Sequence, residues 1–265
     1  MKFSLLTYEM ASGWTLSKLI EVARACGFSG LEFRAEEGHK HGVELERTPS
    51  ERREIRNRIE DAYLEAVGIG TSSRFDSPNL SERQAIIGRT QKYIQLAADL
   101  GCHRVRVFGN DFPGGIPRDD CVKYVADSLR ALGEFADAHG VDVLLEMHGQ
   151  FNYWGFSRAV VQIADHPRIG LVYNSDARDL VAGSIASTYG RVRSLIRHVH
   201  LHSLTDGFPY PELISLLASD GYTGYLSSEV EGAIPPTREQ YLAMYTTLLR
   251  AWAGQPFFSM PEQTP

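Results

Sequence analysis

Eight short apolar runs punctuate the chain, and segments of helical period separate them. The runs are FSLLTY (3–8), GLEFR (30–34), AVGIGTS (66–72), RVRVFG (104–109), VDVLLEMH (141–148), IGLVYN (169–174), IRHVHLH (196–202) and GYLSSEV (224–230). Their length and β-branched content predict strands. Between them, apolar residues recur at i, i+3, i+4 and i+7. Leu16, Leu19, Ile20 and Ala23 form one such stripe, Val122, Val125, Leu129, Leu132 and Ala136 a second, and Leu242, Tyr245, Leu249 and Trp252 a third. Gly27, Gly101, Gly140 and Gly221 stand just ahead of the next strand, where glycine ends a helix by taking the left-handed conformation. A strand–helix unit that recurs every ~25–40 residues is the pattern of a parallel α/β fold. Eight of them predict one α/β domain, a single (β/α)8 barrel over residues 1–254, followed by a C-terminal tail at 255–265. A doubly wound sheet would place a glycine-rich phosphate loop after the first strand, and TYEMASGW does not supply one.

The seventh run raises a chemical question. In RHVHLHSL, His198, His200 and His202 fall two apart, so on a strand they share one face, while Val199 and Leu201 take the other. In a barrel the active site lies at the C-terminal ends of the strands. Those ends carry Glu146 and His148 on strand five, Asn174 and Asp176 on strand six, His200 and His202 on strand seven, and Glu229 on strand eight. If Glu146, Asn174, His200 and Glu229 point inward, two carboxylates, an amide oxygen and an imidazole converge. That donor set suits Mn²⁺, Mg²⁺ or Co²⁺, with Zn²⁺ as a further candidate. A hydrogen-bonded polar core without a metal accounts for the spacing equally well.

Composition narrows the class without naming a reaction. The chain has 265 residues, 43% of them hydrophobic and 23% charged, which is ordinary for a globular protein. Its net charge of −6 argues against a nucleic-acid surface. The three cysteines, Cys26, Cys102 and Cys121, show no paired spacing and fit a reducing compartment. The apolar run at the N-terminus is too short for a signal peptide, and no segment approaches a membrane span. The expectation is a cytoplasmic protein without membrane or nucleic-acid partners.

Four motifs, in order, carry a resemblance. LLEMHG, LVYNSDA, RHVHLHS and GYLSSEVE resemble the strand-five to strand-eight motifs of the xylose isomerase-like TIM barrels, the sugar phosphate isomerase/epimerase superfamily. Carried over, the resemblance implies Glu146, Asn174, His200 and Glu229 as ligands of a divalent metal, Mn²⁺ first. It implies a small carbohydrate substrate and a homodimer or homotetramer. His202 would face the substrate and His198 would lie deeper in the core. Glu146 and Glu229 would be the acid/base pair, moving a proton α to a carbonyl through an enediolate, with His148 as a second base candidate. The implied activity is a metal-dependent sugar isomerase or epimerase acting on a sugar or oxo-sugar. A metal-dependent lyase or dehydratase on an oxo-sugar, glycoside or cyclitol is the alternative, and a sugar-binding barrel that no longer turns over is a third reading.

The chain also departs from that family. Asn174 stands where Asp is usual, and Asp176 on the same face is an alternative ligand. Ketose 3-epimerases of the family use a Glu, a His and an Arg at positions held here by Asn152, Ala177 and Asp206. That counts against an ordinary ketose substrate. Around the expected site, Trp14 in the first loop could stack on a sugar face. Arg106 could bind an anionic group or neutralise a core carboxylate. Glu32 and Arg34 are expected to pair with each other. Phe151, Tyr153 and Trp154 crowd the loop after strand five, where Trp154 is a further substrate-binding candidate and a dimer contact is the alternative.

Overall fold

The computed structural model describes residues 1–36, 38–230 and 237–256. Eight parallel strands close into a barrel in sequence order, and β8 pairs back onto β1. The strands are β1 (Lys2–Leu6), β2 (Gly30–Arg34), β3 (Glu65–Arg74), β4 (Arg104–Phe108), β5 (Asp142–Glu146), β6 (Ile169–Asn174), β7 (Ile196–Leu201) and β8 (Tyr225–Ser228). Eight helices surround them: α1 (Leu16–Ala25), α2 (Pro49–Asp61), α3 (Leu80–Asp99), α4 (Arg118–Ala138), α5 (Trp154–Ala164), α6 (Ala186–Val192), α7 (Tyr210–Ser219) and α8 (Arg238–Trp252).

Local chemistry explains the alternation. β2 and β6 are buried along their whole length, as strands covered on both faces must be. α4 buries the expected stripe of Val122, Val125, Leu129, Leu132 and Ala136. α2 starts at a reciprocal cap: Thr48 accepts from the Glu51 backbone, Glu51 accepts from that of Thr48, and Pro49 fills the first turn. Gly27, Gly101, Gly140 and Gly221 have φ of +78°, +74°, +65° and +71°. Each takes the left-handed conformation that the sequence pattern assigns to it.

Several strands end earlier than the apolar runs suggest. β5 stops at Glu146, β7 at Leu201 and β8 at Ser228. His148, His202 and Glu229 therefore lie just beyond the ladder, where the barrel opens, and Asp176 lies just past β6. Gln255 donates to the Met1 carbonyl at 2.8 Å. The remainder of the expected tail, from residue 257, is outside the described residues. No helix among the described residues is long and apolar enough to cross a membrane.

Candidate metal centre

Register sets the level of the site. Asn174 on β6 pairs with His200 on β7, and His200 pairs in turn with Ser227 on β8. Glu146 stands opposite Phe108 and Val172. Each of these side chains is a strand's last inward residue or close to it.

A column of polar groups rises through the barrel axis to this level. Ser4 and Ser227 share a hydrogen bond between their hydroxyls at 2.5 Å. His198 Nε2 lies 3.0 Å from Ser227 Oγ and 2.7 Å from Glu32 Oε2. The other Glu32 oxygen is 3.0 Å from His200 Nε2. At the top, His200 Nδ1 lies 3.2 Å from Glu146 Oε1 and 3.0 Å from Glu229 Oε2. Arg106 closes the set, its Nε 3.1 Å from Glu146 Oε2 and its Nη1 donating to the Thr71 carbonyl at 2.8 Å. Gly70 makes room for it, since a Cβ there would stand 3.0 Å from Arg106 Nη2.

The charges are strongly coupled. Burial opposes protonation of His200, but the carboxylates of Glu32, Glu229 and Glu146 outweigh it and hold the imidazolium well above its ordinary range. Burial would likewise favour neutral Glu32, yet His200 and His198 hold it well below the usual carboxylate range. For Glu146 the same burial is overcome by Arg106, assisted by His200 and His148. Burial outweighs the Glu32 carboxylate and pushes His198 down.

Two tests bear on whether a divalent ion fits here. One is the donor set: Glu146, His200 and Glu229 each offer one atom, all mutually within 4.8 Å. The other is an orphaned atom. Asn174 is 3% exposed, and its Oδ1 has no hydrogen-bond partner among the described residues. Such an atom is costly to bury unless something takes its lone pairs. Glu146 Oε2 likewise has no well-angled hydrogen bond, although it is ion-paired with Arg106 Nε at 3.1 Å. Two carboxylates, an amide oxygen and imidazole Nδ1, with Nε2–H held by Glu32, make a carboxylate–histidine–metal arrangement with a hard donor set. The residues fit.

The cavity above this centre has a volume of about 430 Å³. Its walls include Arg106, His148, Asp176 and His202 among the residues singled out from the sequence, together with Tyr8, Arg34, Arg74, Asn110 and Arg178. His202 Nε2 lies 3.8 Å from Glu229 Oε2. His148 Nδ1 meets Asn110 Oδ1 at 3.1 Å. Asp176 caps a short turn and engages Arg178 with both its oxygens, so its carboxylate is directed to the guanidinium rather than into the ligand cluster.

Two expectations need revision. Glu32 and Arg34 do not pair with each other. Glu32 bridges His198 and His200, whereas Arg34 donates to the Ala35 and Gly70 carbonyls and to Ser72. Period-two parity put both residues inside, but two residues of strand rise set them at different depths along the barrel. Trp14 does not line the cavity and is packed half-buried against the hydrophobic core. Trp154 lines a neighbouring cavity instead. Of the two roles weighed for Arg106, the structure shows neutralisation of Glu146. Sequence reasoning missed the Glu32 bridge and Arg178. Parity had marked Glu32 as inward, but its partners on β7 are set only by barrel closure.

The bridge makes a prediction. Glu32→Gln keeps the side chain's shape but weakens its hold on His200 Nε2–H. Divalent-ion affinity should fall by about 10–100-fold, as it does when outer partners of ligating histidines are lost. Calorimetric titration of metal-free protein with Mn²⁺ checks this, and an unchanged affinity would count against the bridge.

A closed parallel barrel with Glu146, Asn174, His200 and Glu229 at or just past the C-terminal ends of β5 to β8 defines the class: a single (β/α)8 protein. The chain belongs to the family of xylose isomerase-like TIM barrels, whose model matches residues 20–247. Among solved structures it is similar to L-ribulose 3-epimerase, with 16% identity, 96% of this chain and 94% of that one covered, and a TM-score of 0.80. It is also similar to the E. coli 3-keto-D-glucoside 4-epimerase YcjR, with 18% identity, 95% and 99% covered, and a TM-score of 0.78. A third is the IolI protein with a bound zinc atom, with 15% identity, 98% and 100% covered, and a TM-score of 0.77. At these identities the likeness shows the fold. No curated protein matches the chain in sequence.

Proposed function

We propose that the protein is a divalent-metal-dependent isomerase or epimerase that moves a proton α to the carbonyl of a sugar or oxo-sugar. The observation that carries this reading is the convergence of Glu146 and Glu229 on His200 Nδ1 beside the orphaned Asn174 Oδ1. Glu146, Asn174, His200 and Glu229 would hold the ion, Mn²⁺ in the first instance. When bound, it supplies Lewis-acid polarisation of substrate oxygens.

The chain's own residues supply the rest. Glu146 and Glu229 reach the same centre from β5 and from the end of β8, three strands apart. One can take the proton from carbon and the other can return one. They are not equivalent. Glu146 is pinned by Arg106, which favours its ionised form and weakens it as a base, so Glu229 is the better candidate for abstraction. Glu32 orients His200, and His202 and His148, which line the cavity, would hold substrate hydroxyls. Asn174 contributes no charge, so the site holds two negative ligands against a 2+ ion. Asn174→Asp should therefore bind Mn²⁺ more tightly, by about tenfold or more, and titration of both proteins against a competing chelator reads the difference.

The positions that grip ketoses in family 3-epimerases are occupied elsewhere in this protein. Asn152 donates to Asp179, and Asp206 accepts from Tyr210. This favours an oxo-sugar over a simple ketose. The direct test is proton exchange in D₂O with Mn²⁺-loaded protein and a panel of ketoses and 3-oxo-sugars, followed by NMR and mass spectrometry. Deuterium α to the carbonyl with conserved carbon skeleton is the expected result. Loss of water or an alcohol would identify the lyase instead, and no exchange with any member would contradict the proposal.

A further inference from the structure

A second cavity of about 520 Å³ adjoins the first. Its character is different. Phe112, Tyr153, Trp154 and Phe156 line it, and their rings form a continuous wall with centroids 4.9 Å (Phe112–Phe156), 5.2 Å (Tyr153–Phe156) and 5.2 Å (Tyr153–Trp154) apart. Tyr153 is 52% exposed and stands at the mouth of this wall, so the rings are open to a ligand from solvent. The polar floor is buried. Asn152 and Asp179, each 3% exposed, are joined by one hydrogen bond of 3.1 Å. Asn152 Oδ1 has no hydrogen-bond partner among the described residues, and the Asp179 carboxylate also faces the Tyr173 hydroxyl. An apolar hollow with a few converging polar groups is the usual form of a small-molecule site.

Among the described residues, one side chain lines both cavities. Arg178 is anchored to Asp176 on the first side and donates from Nη1 to the Gly149 carbonyl at 2.7 Å. Its side chain is 57% exposed, so the partition is a surface arginine rather than packed core. A ligand matching both compartments has a polar ring in the charged cavity and an apolar ring against the aromatic wall.

We propose that the second cavity is an aglycone subsite, taking an apolar or aromatic ring joined glycosidically to the sugar in the His200 cavity. The natural substrate is then a glycoside and not a free sugar. This inference rests on the reading that a sugar occupies the first cavity.

Calorimetry on full-length protein equilibrated with Mn²⁺ tests it, with phenyl β-D-glucopyranoside and methyl β-D-glucopyranoside as probes and ion content measured on the same samples. The phenyl glycoside should bind at least about tenfold more tightly than the methyl glycoside, as stacking plus burial of one ring provides. In Trp154→Ala, and separately in Tyr153→Ala at the exposed mouth, that preference should fall towards one while ion content stays at the wild-type level. Equal affinities in the wild type, no binding of either probe, or a preference that survives both substitutions would overturn the subsite. A dimer that these substitutions convert to monomer would also overturn it, by showing the wall to be an interface. Ion content keeps these failures separate from failure of the metal reading.

Discussion

Arg106→Ala should destabilise the metal-free protein by about 3–5 kcal/mol, the cost of taking one partner from a buried ion pair. Arg106 and Glu146 have side chains only 4% and 2% exposed, and the guanidinium also packs over the Phe108 ring at 4.1 Å. Removing it leaves Glu146 with the His200 imidazolium alone, which Glu229 and Glu32 also share. The informative part is the response to metal. An ion held by Glu146 supplies the missing positive charge, so saturating Mn²⁺ should recover a substantial part of the loss in denaturant titrations. A defect of equal size with and without the ion would mean that Glu146 does not face the ion, and the ligand assignment would have to change.

Glu229→Gln and Glu146→Gln should each lower the exchange rate by about 10²–10⁴-fold at saturating Mn²⁺, the usual contribution of a positioned acid or base. Glutamine keeps an oxygen for coordination but is not a base, and working at saturation separates lost ligation from lost proton transfer. Glu229→Gln should give the larger loss of abstraction, because Glu229 lacks the guanidinium that pins Glu146. Near-wild-type turnover in either variant would remove that residue from the proton path. Ion binding should also strengthen as pH rises. In the metal-free site His200 holds a proton on its buried imidazole well above the ordinary range, and that proton competes with the ion for Nδ1.

Much of this protein could be read from its pattern of residues. Eight apolar runs became eight strands, because strands buried on both faces must be apolar over their length. Glycines at 27, 101, 140 and 221 end their helices in the conformation expected of them. The inward set of Glu146, Asn174 and His200 was legible from period-two parity along three strands, with Glu229 just past the end of β8. What parity cannot give is depth and cross-barrel partnership. Glu32 was recognisable as inward, but its bridge from His198 to His200 spans residues 166 and 168 positions apart and exists only once the barrel closes. Trp14 and Trp154 were placed by loop position alone. Loop position does not say which hollow an aromatic side chain lines, so Trp14 sits against the core and Trp154 in the second cavity. Arg178 was missed for the same reason, since it reaches the site from a loop without periodicity.

The central claim is that Glu146, Asn174, His200 and Glu229 form one divalent-ion site. Elemental analysis of purified protein, wild type beside His200→Ala, tests it most directly. Incubation with Mn²⁺, Co²⁺ or Zn²⁺ and removal of free ion come first, with circular dichroism to show that the variant is folded. About one ion per wild-type chain, lost in the folded variant, is the predicted result. A wild-type protein that retains none of the three ions would contradict the account.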